Sequence, residues 1–223
     1  MAKKYLSQDS LIHLNKNSHF FISDDTKLRI VVLVKTDNQN SELKIFLESR
    51  VDLELLIITQ ENFHINVSIN MIGDHSRLLV NNLGLLKRNS SSSKNIIIRH
   101  RGFYNYSRIE SFNLLDEKSS LEEYANVIIE KKTAFSDTYL KQRALILDEK
   151  SSATLMPTLE INNSETKAGH GCVQGYFNPE LIFYLMSRGL SKDHAQKILI
   201  DSYINPLVSN FSDIYLWEKL YNV

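Results

Sequence analysis

Between residues 18 and 162 the chain alternates apolar and polar side chains in short runs, each closed by a polar cluster. Leu43, Ile45 and Leu47 share one face of an extended segment, as do Ile65, Val67 and Ile69. That is the period-two pattern of a half-buried strand. Comparable runs occupy 19–22, 28–34, 53–58, 77–80, 95–98, 125–129 and 144–147. Polar clusters at 23–25, 37–40 and 89–93 separate them, and the serine run in the last reads as a surface loop. Strand follows strand with no helix between, which predicts an all-β sandwich, barrel or solenoid. Periodicity alone does not choose among the three. A parallel β-helix stacks coils of on the order of 20–25 residues, and no crisp repeat of that length stands out.

After Gly175 the pattern changes. Asn178 is a good N-cap, and Pro179 suits the first helical position, where a missing donor costs nothing. Leu181, Tyr184 and Leu185 form an apolar stripe, and Gly189 can take the left-handed position that ends a helix. Ser191 caps a second helix carrying Ala195, Ile198, Leu199 and Tyr203 at helical spacing. Pro206 fits the first turn of a third, with Leu207, Phe211, Ile214, Trp217 and Tyr221 following. These stripes either pack on the strands or dock a partner.

Composition narrows the function. Lys+Arg and Asp+Glu are both 26, so the chain lacks the basic excess of a general nucleic-acid binder. At 223 residues it is expected to bury roughly 70% of its unfolded surface. The first ten residues hold no apolar run, and no uncharged stretch approaches the roughly twenty residues of a membrane span. One cysteine forms no internal disulfide, which fits a reducing compartment, with the cytoplasm as the expectation. The seven histidines include no His-x-x-x-His pair, and no Cys-x-x-Cys, Walker loop or Gly-x-Ser-x-Gly elbow occurs.

The most specific stretch is residues 157–190, PTLEINNSETKAGHGCVQGYFNPELIFYLMSRGL. It resembles the C-terminal signature of the SufB/SufD family of iron–sulfur cluster assembly scaffolds. Pro157, Leu159, Glu160, Ile161, Lys167, His170, Gly171, Gly175, Leu181, Phe183, Tyr184, Leu185, Arg188, Gly189 and Leu190 all fall in register with it. The match is closest over 135–205 and pattern-level before residue 100. Gly171 after the histidine is SufD-like, since SufB-type members usually place Glu there. Family members are longer and begin with a helical region, so the chain is expected to be a shortened form.

The resemblance implies a right-handed parallel β-helix (a β-solenoid) over 1–175 and a C-terminal helical subdomain over 176–223 that docks an ATPase partner. It implies a non-enzymatic scaffold that pairs with a SufB-like subunit, binds the SufC ATPase through Phe183, Tyr184, Arg188 and Gly189, and needs neither nucleic acid nor membrane. No cofactor is expected to bind tightly to this chain alone; a nascent iron–sulfur cluster is expected at the SufB–SufD interface. From the residues alone His170 reads as a histidine held by backbone hydrogen bonds near a turn; the resemblance reverses this, because it falls on the SufD-type functional histidine. SufD-type members often carry Cys two residues before this histidine and Ala two after; here Ala168 and Cys172 exchange those places. If 168–172 is extended, the thiol keeps its face, and His170 with Cys172 becomes an expected metal-ligand pair. Against this, Cys172 reads as a small buried apolar residue. The segment 138–144, TYLKQRA, departs from a family His-Gln-Thr-Asn-like run, and Glu160 reads as a solvated strand-end residue.

Two other readings stand beside this one. A β-solenoid enzyme acting on saccharide or acyl substrates would use Asp137, Arg143 and Glu160 together. A self-associating structural β-protein would have no metal role, and a homodimer in isolation fits open sheet edges at the ends of a stack.

Overall fold

The computed structural model describes residues 4–14, 17–34 and 40–213. Thirteen strands follow one another before any helix: β1 Ser10–Leu14, β2 Ser18–Ile22, β3 Lys27–Val34, β4 Asn40–Leu47, β5 Asp52–Gln60, β6 His64–Met71 and β7 Arg77–Leu86 come first. Then come β8 Ser91–His100, β9 Tyr106–Leu115, β10 Ser120–Ile129, β11 Ser136–Ile146, β12 Ser152–Ile161 and β13 Thr166–Gly175. Odd-numbered strands form one sheet in the order β1-β3-β5-β7-β9-β11-β13, and even-numbered strands form the other, from β12 back to β2. Every pairing is parallel. The chain therefore winds as a β-solenoid, each coil giving one strand to each sheet, and the sandwich and the barrel are excluded.

The lack of a crisp repeat has a structural cause. Asp52 pairs with Arg77, 25 residues on. Asn82 pairs with Ser111, 29 residues on, and Ser107 with Thr138, 31 residues on. Coil length drifts, so side-chain register is kept by the strands and not by a fixed sequence period. Between the β5–β6 coil and the β7–β8 coil the extra residues lengthen the strands more than the turns.

Alternate side chains point into the lumen. Ile30, Val32, Leu43, Ile45, Leu53, Leu55, Ile57, Val67, Ile69, Val80 and Ile98 are almost fully buried there in one continuous core. At about 25 cal/mol per Å² of apolar area removed from water, this lumen is the main driving force for the fold. A second core lies outside the odd-strand sheet, where Val31, Leu56, Ile58, Leu83, Phe112 and Leu145 meet Ile200, Ile204, Leu207 and Phe211.

The helices follow the predicted caps. Asn178 accepts from the Glu180 amide, Pro179 opens α1 (Pro179–Ser187), and Gly189 takes φ +93° after it. Ser191 caps α2 (Lys192–Val208) through the His194 amide. Three expectations need correction. Pro206 starts no new helix; it lies within α2, which runs to a 3-10 turn at Ser209–Phe211. The buried face of α2 is Ala195, Ile200, Ile204, Leu207 and Val208, while Ile198 is exposed, because the sheet sets the face. Ser91–Ser93 form no loop but begin β8, with Ser92 buried and its hydroxyl bonded to the Glu61 carbonyl. Alternation reads correctly through that run once Ser92, Lys94 and Ile96 are taken as its inward positions. Ile214, Trp217 and Tyr221 lie outside the described residues.

Candidate functional site at the open end

The two strands of the last coil, β12 and β13, end their sheets. Together they form a rim over the mouth of the lumen. The Gly-His-Gly-Cys run is strand, not turn. In register, Thr138 stands beside Ala168, Leu140 beside His170 and Gln142 beside Cys172. Thr138, Leu140 and Gln142 are buried, facing inward. Neighbours in register share a face, so Ala168, His170 and Cys172 lie on the lumen side of β13. Among the described residues no further coil covers them, and both His170 and Cys172 are exposed. The buried reading of Cys172 is therefore corrected. Its thiol stands 4.0 Å from the Leu155 carbonyl oxygen across the mouth.

The two glycines have a packing reason. Gly169 and Gly171 face outward over the Tyr139 ring, where a Cβ would come within 3.1 Å of ring carbon at 169 and 3.0 Å of the hydroxyl at 171. Arg108 stacks on the same ring, its guanidinium carbon 5.2 Å from the centroid. Small residues at 169 and 171 let β13 lie flat on β11, which aims His170 and Cys172 over the mouth.

Below the rim the lumen is polar. Gln142 donates to Glu123 Oε1 at 2.9 Å, and its own Oε1 is buried without a partner among the described residues. Glu123 Oε2 accepts from Ser111 Oγ at 2.9 Å and Asn113 Nδ2 at 2.8 Å. Lys94 Nζ donates to Asn113 Oδ1 at 2.8 Å and Asn82 Oδ1 at 3.1 Å, and lies 3.7 Å from Glu123 Oε2. Lys94 and Glu123 are 1% and 0% exposed. Burial pulls the Lys94 ammonium down to about 8 against the opposing pull of Glu123. Partial burial, and then the Glu123 carboxylate, push the Cys172 thiol up. A rim thiol in this setting is held protonated until something compensates its charge.

These interior residues escaped the sequence reading, although a signal was there. Lys94 alternates with Ile96 and Ile98, and Glu123 with Leu121 and Ala125, so both occupy inward positions. The departure at 138–144 keeps an inward amide in Gln142. Asp137, Arg143 and Glu160 are not brought together. Asp137 and Arg143 point outward from β11, toward Arg108 and Glu110 respectively. Glu160 is exposed on β12 in the other sheet, bonded to Asn162. Among the described residues no cluster of three His, Cys, Asp or Glu could hold a metal ion, so His170 and Cys172 alone supply an incomplete ligand set.

No residue of α1 is buried. Phe183 is 72% and Tyr184 53% exposed, with Arg188 over the Tyr184 ring at 5.3 Å. Of the two readings of the Leu181/Tyr184/Leu185 stripe, packing on the strands is not what the described residues show: Leu181 and Tyr184 are exposed. No described helix is long and apolar enough to cross a membrane.

Comparison with known proteins gives one consistent answer. Residues 3–203 match the family described as SUF system FeS cluster assembly, SufBD core domain. The SufD iron–sulfur cluster assembly protein of Escherichia coli is 24% identical over 156 residues, 70% of this chain and 37% of the relative. SufD of Bacillus subtilis is 32% identical over 81 residues, 36% of this chain and 18% of the relative. A SufBD family protein of Mycobacterium leprae is 31% identical over 96 residues, 43% of this chain and 24% of the relative. The chain thus matches well under half the length of each.

Proposed function

The chain belongs to the SufBD core family of iron–sulfur cluster assembly proteins and is SufD-like, and from that premise we propose that it is the SufD-type scaffold subunit of a SufBCD-like complex. Its rim pairs with a SufB-like subunit, and its C-terminal helices bind a SufC-like ATPase. The reading places this assembly in the cytoplasm and gives the chain no catalytic step of its own. The cluster is cargo built at the seam between scaffolds, and this chain offers His170, with Cys172 beside it.

The observation that carries the reading is the family match over residues 3–203. The geometry is compatible with each part of it. Edge strands have free backbone donors and acceptors that pair readily with another chain. Imidazole and thiol together suit iron, and a rim seam lets a second subunit complete the ligand set. Exposed Phe183 and Tyr184 with Arg188 have the aromatic-plus-arginine character of a docking surface. Without its SufB-like partner, the same rim favours a homodimer.

The test is anaerobic coexpression with the SufB-like and SufC-like proteins of the same organism, followed by size measurement and iron analysis. A complex containing all three with bound iron supports the proposal. Iron falling severalfold in His170→Ala, with a smaller fall in Cys172→Ser, supports the roles given to these residues. Full loading in both variants removes them from the site. A Phe183→Ala/Arg188→Ala chain that keeps the ATPase at full stoichiometry removes α1 as its dock.

A further inference from the structure

Three groups inside the lumen are arranged for a reaction with one another. Lys94 Nζ touches the carbonyl oxygen of the Asn113 side chain at 2.8 Å. The amide nitrogen of the same side chain donates to Glu123 Oε2 at 2.8 Å, and that carboxylate lies 3.7 Å from Lys94 Nζ. We propose that Lys94 and Asn113 join in an intramolecular isopeptide bond, with Glu123 carrying the proton between them. This is independent of the scaffold role.

The step balances without any external reagent. Lys94 gives a proton to Glu123 and adds as a neutral amine to the Asn113 carboxamide carbon, the carbonyl π electrons moving to Oδ1. The adduct nitrogen then loses a second proton, which passes by way of Glu123 to Nδ2. The C–Nδ2 bond breaks, ammonia leaves and the carbonyl re-forms. Of the three ammonium protons one stays on the new amide, one leaves with ammonia and one remains on Glu123. An ion pair becomes a neutral amide and a neutral carboxyl, so two buried charges disappear. Desolvated charges are costly even when paired, which favours the product.

The surroundings fit this chemistry. Lys94, Asn113 and Glu123 are all at most 1% exposed, so water does not compete. Burial draws the Lys94 amine down to about 8, supplying the nucleophilic form. Fixed neighbours in near-contact replace a bimolecular encounter. Gly84 keeps the space open: a Cβ there would lie 2.3 Å from Asn113 Oδ1 and 2.8 Å from Lys94 Nζ. Asn82 also accepts from Lys94, but its amide donates to the Ser111 hydroxyl and so lacks an acid for the leaving group. The bond would tie β8 to β9 across the lumen.

Mass spectrometry of the denatured full chain tests this directly. The wild type is expected to weigh one ammonia less than its sequence, and trypsin should release one branched peptide joining the Lys94 and Asn113 segments. Glu123→Gln and Asn113→Ala should each return to full sequence mass, while Asn82→Ala keeps the bond. A folded wild-type chain at full mass overturns the proposal, whether or not the variants fold. Ammonia loss confined to one linear peptide overturns it too, since that marks a succinimide and not a cross-link.

Discussion

The lumen formed by β1 to β6 and the lumen formed by β7 to β11 are built on the same winding but filled differently. The first is apolar almost throughout, with Ile30, Val32, Ile45, Leu55, Val67 and Ile69 in the interior and, among the described residues, only Ser41 and Thr59 as buried inward polar residues. The second holds Asn82, Lys94, His100, Ser107, Ser111, Asn113, Glu123, Thr138 and Gln142, all buried. A dry stack needs no such groups for stability, because apolar side chains of similar volume replace a buried ion pair without loss, and often with gain. The polar half is therefore a specialisation laid on a scaffold that the dry half shows to be sufficient. It also points one way: the charged groups lie beneath the rim carrying His170 and Cys172, and the Gln142 amide adjoins Cys172 in register.

The contrast can be broken most forcefully at Lys94. Lys94→Met leaves the Glu123 carboxylate buried with no countercharge, and urea denaturation should show a loss of about 3–5 kcal/mol. A loss under about 1 kcal/mol would mean that the polar half is hydrated and not desolvated. Next comes the dry half. Ile57→Ala removes a side chain that is 1% exposed and should cost about 3 kcal/mol through lost transfer energy and a cavity. A negligible cost there would mean loose packing in the early coils.

The pH dependence separates the halves by a smaller amount. His100 is fully buried and bonded through Nε2 to Ser107 Oγ at 2.9 Å. Burial lowers it from 6.5 to about 4. The folded chain thus binds fewer protons than the unfolded one across that window. Its contribution is intact above the unfolded value and is lost as pH falls toward 4, by roughly 2–3 kcal/mol. Denaturation midpoints at pH 7.5 and 4.5 should differ accordingly, and His100→Gln should flatten that slope. The smallest expected effect lies outside the dry coils. Arg29 joins Asp9 at 2.5 Å and Asp213 at 2.7 Å while remaining partly exposed. Arg29→Ala should cost about 1 kcal/mol or less, lessened further by salt.

Much of this architecture was legible in the residues, and the gaps have physical reasons. Alternation located β2 to β6 because nearly every inward position there is apolar, and it overlooked the short β1. It shortened β8 and overlooked β9, where inward serines and asparagines interrupt the apolar signal. The winding itself came from resemblance, since drifting coil length hides the period. Asn178, Pro179, Gly189 and Ser191 were readable as helix punctuation because capping is local chemistry. The face of α2 was not, because the sheet's outer surface selects Ile204 over Ile198. His170 and Cys172 could be placed on one face in advance; that this face overlies the lumen needed the register of β13 on β11.

The rim has a consequence for how large an assembly can become. Within each sheet all strands of the stack run in one sense. A two-fold axis through the mouth reverses that sense, so two rims meet antiparallel and each uses up the other's edge. Growth through the rim then halts at a pair. Stacking a rim on the opposite end of another copy would keep the sense and leave a fresh edge, which is the route to a filament.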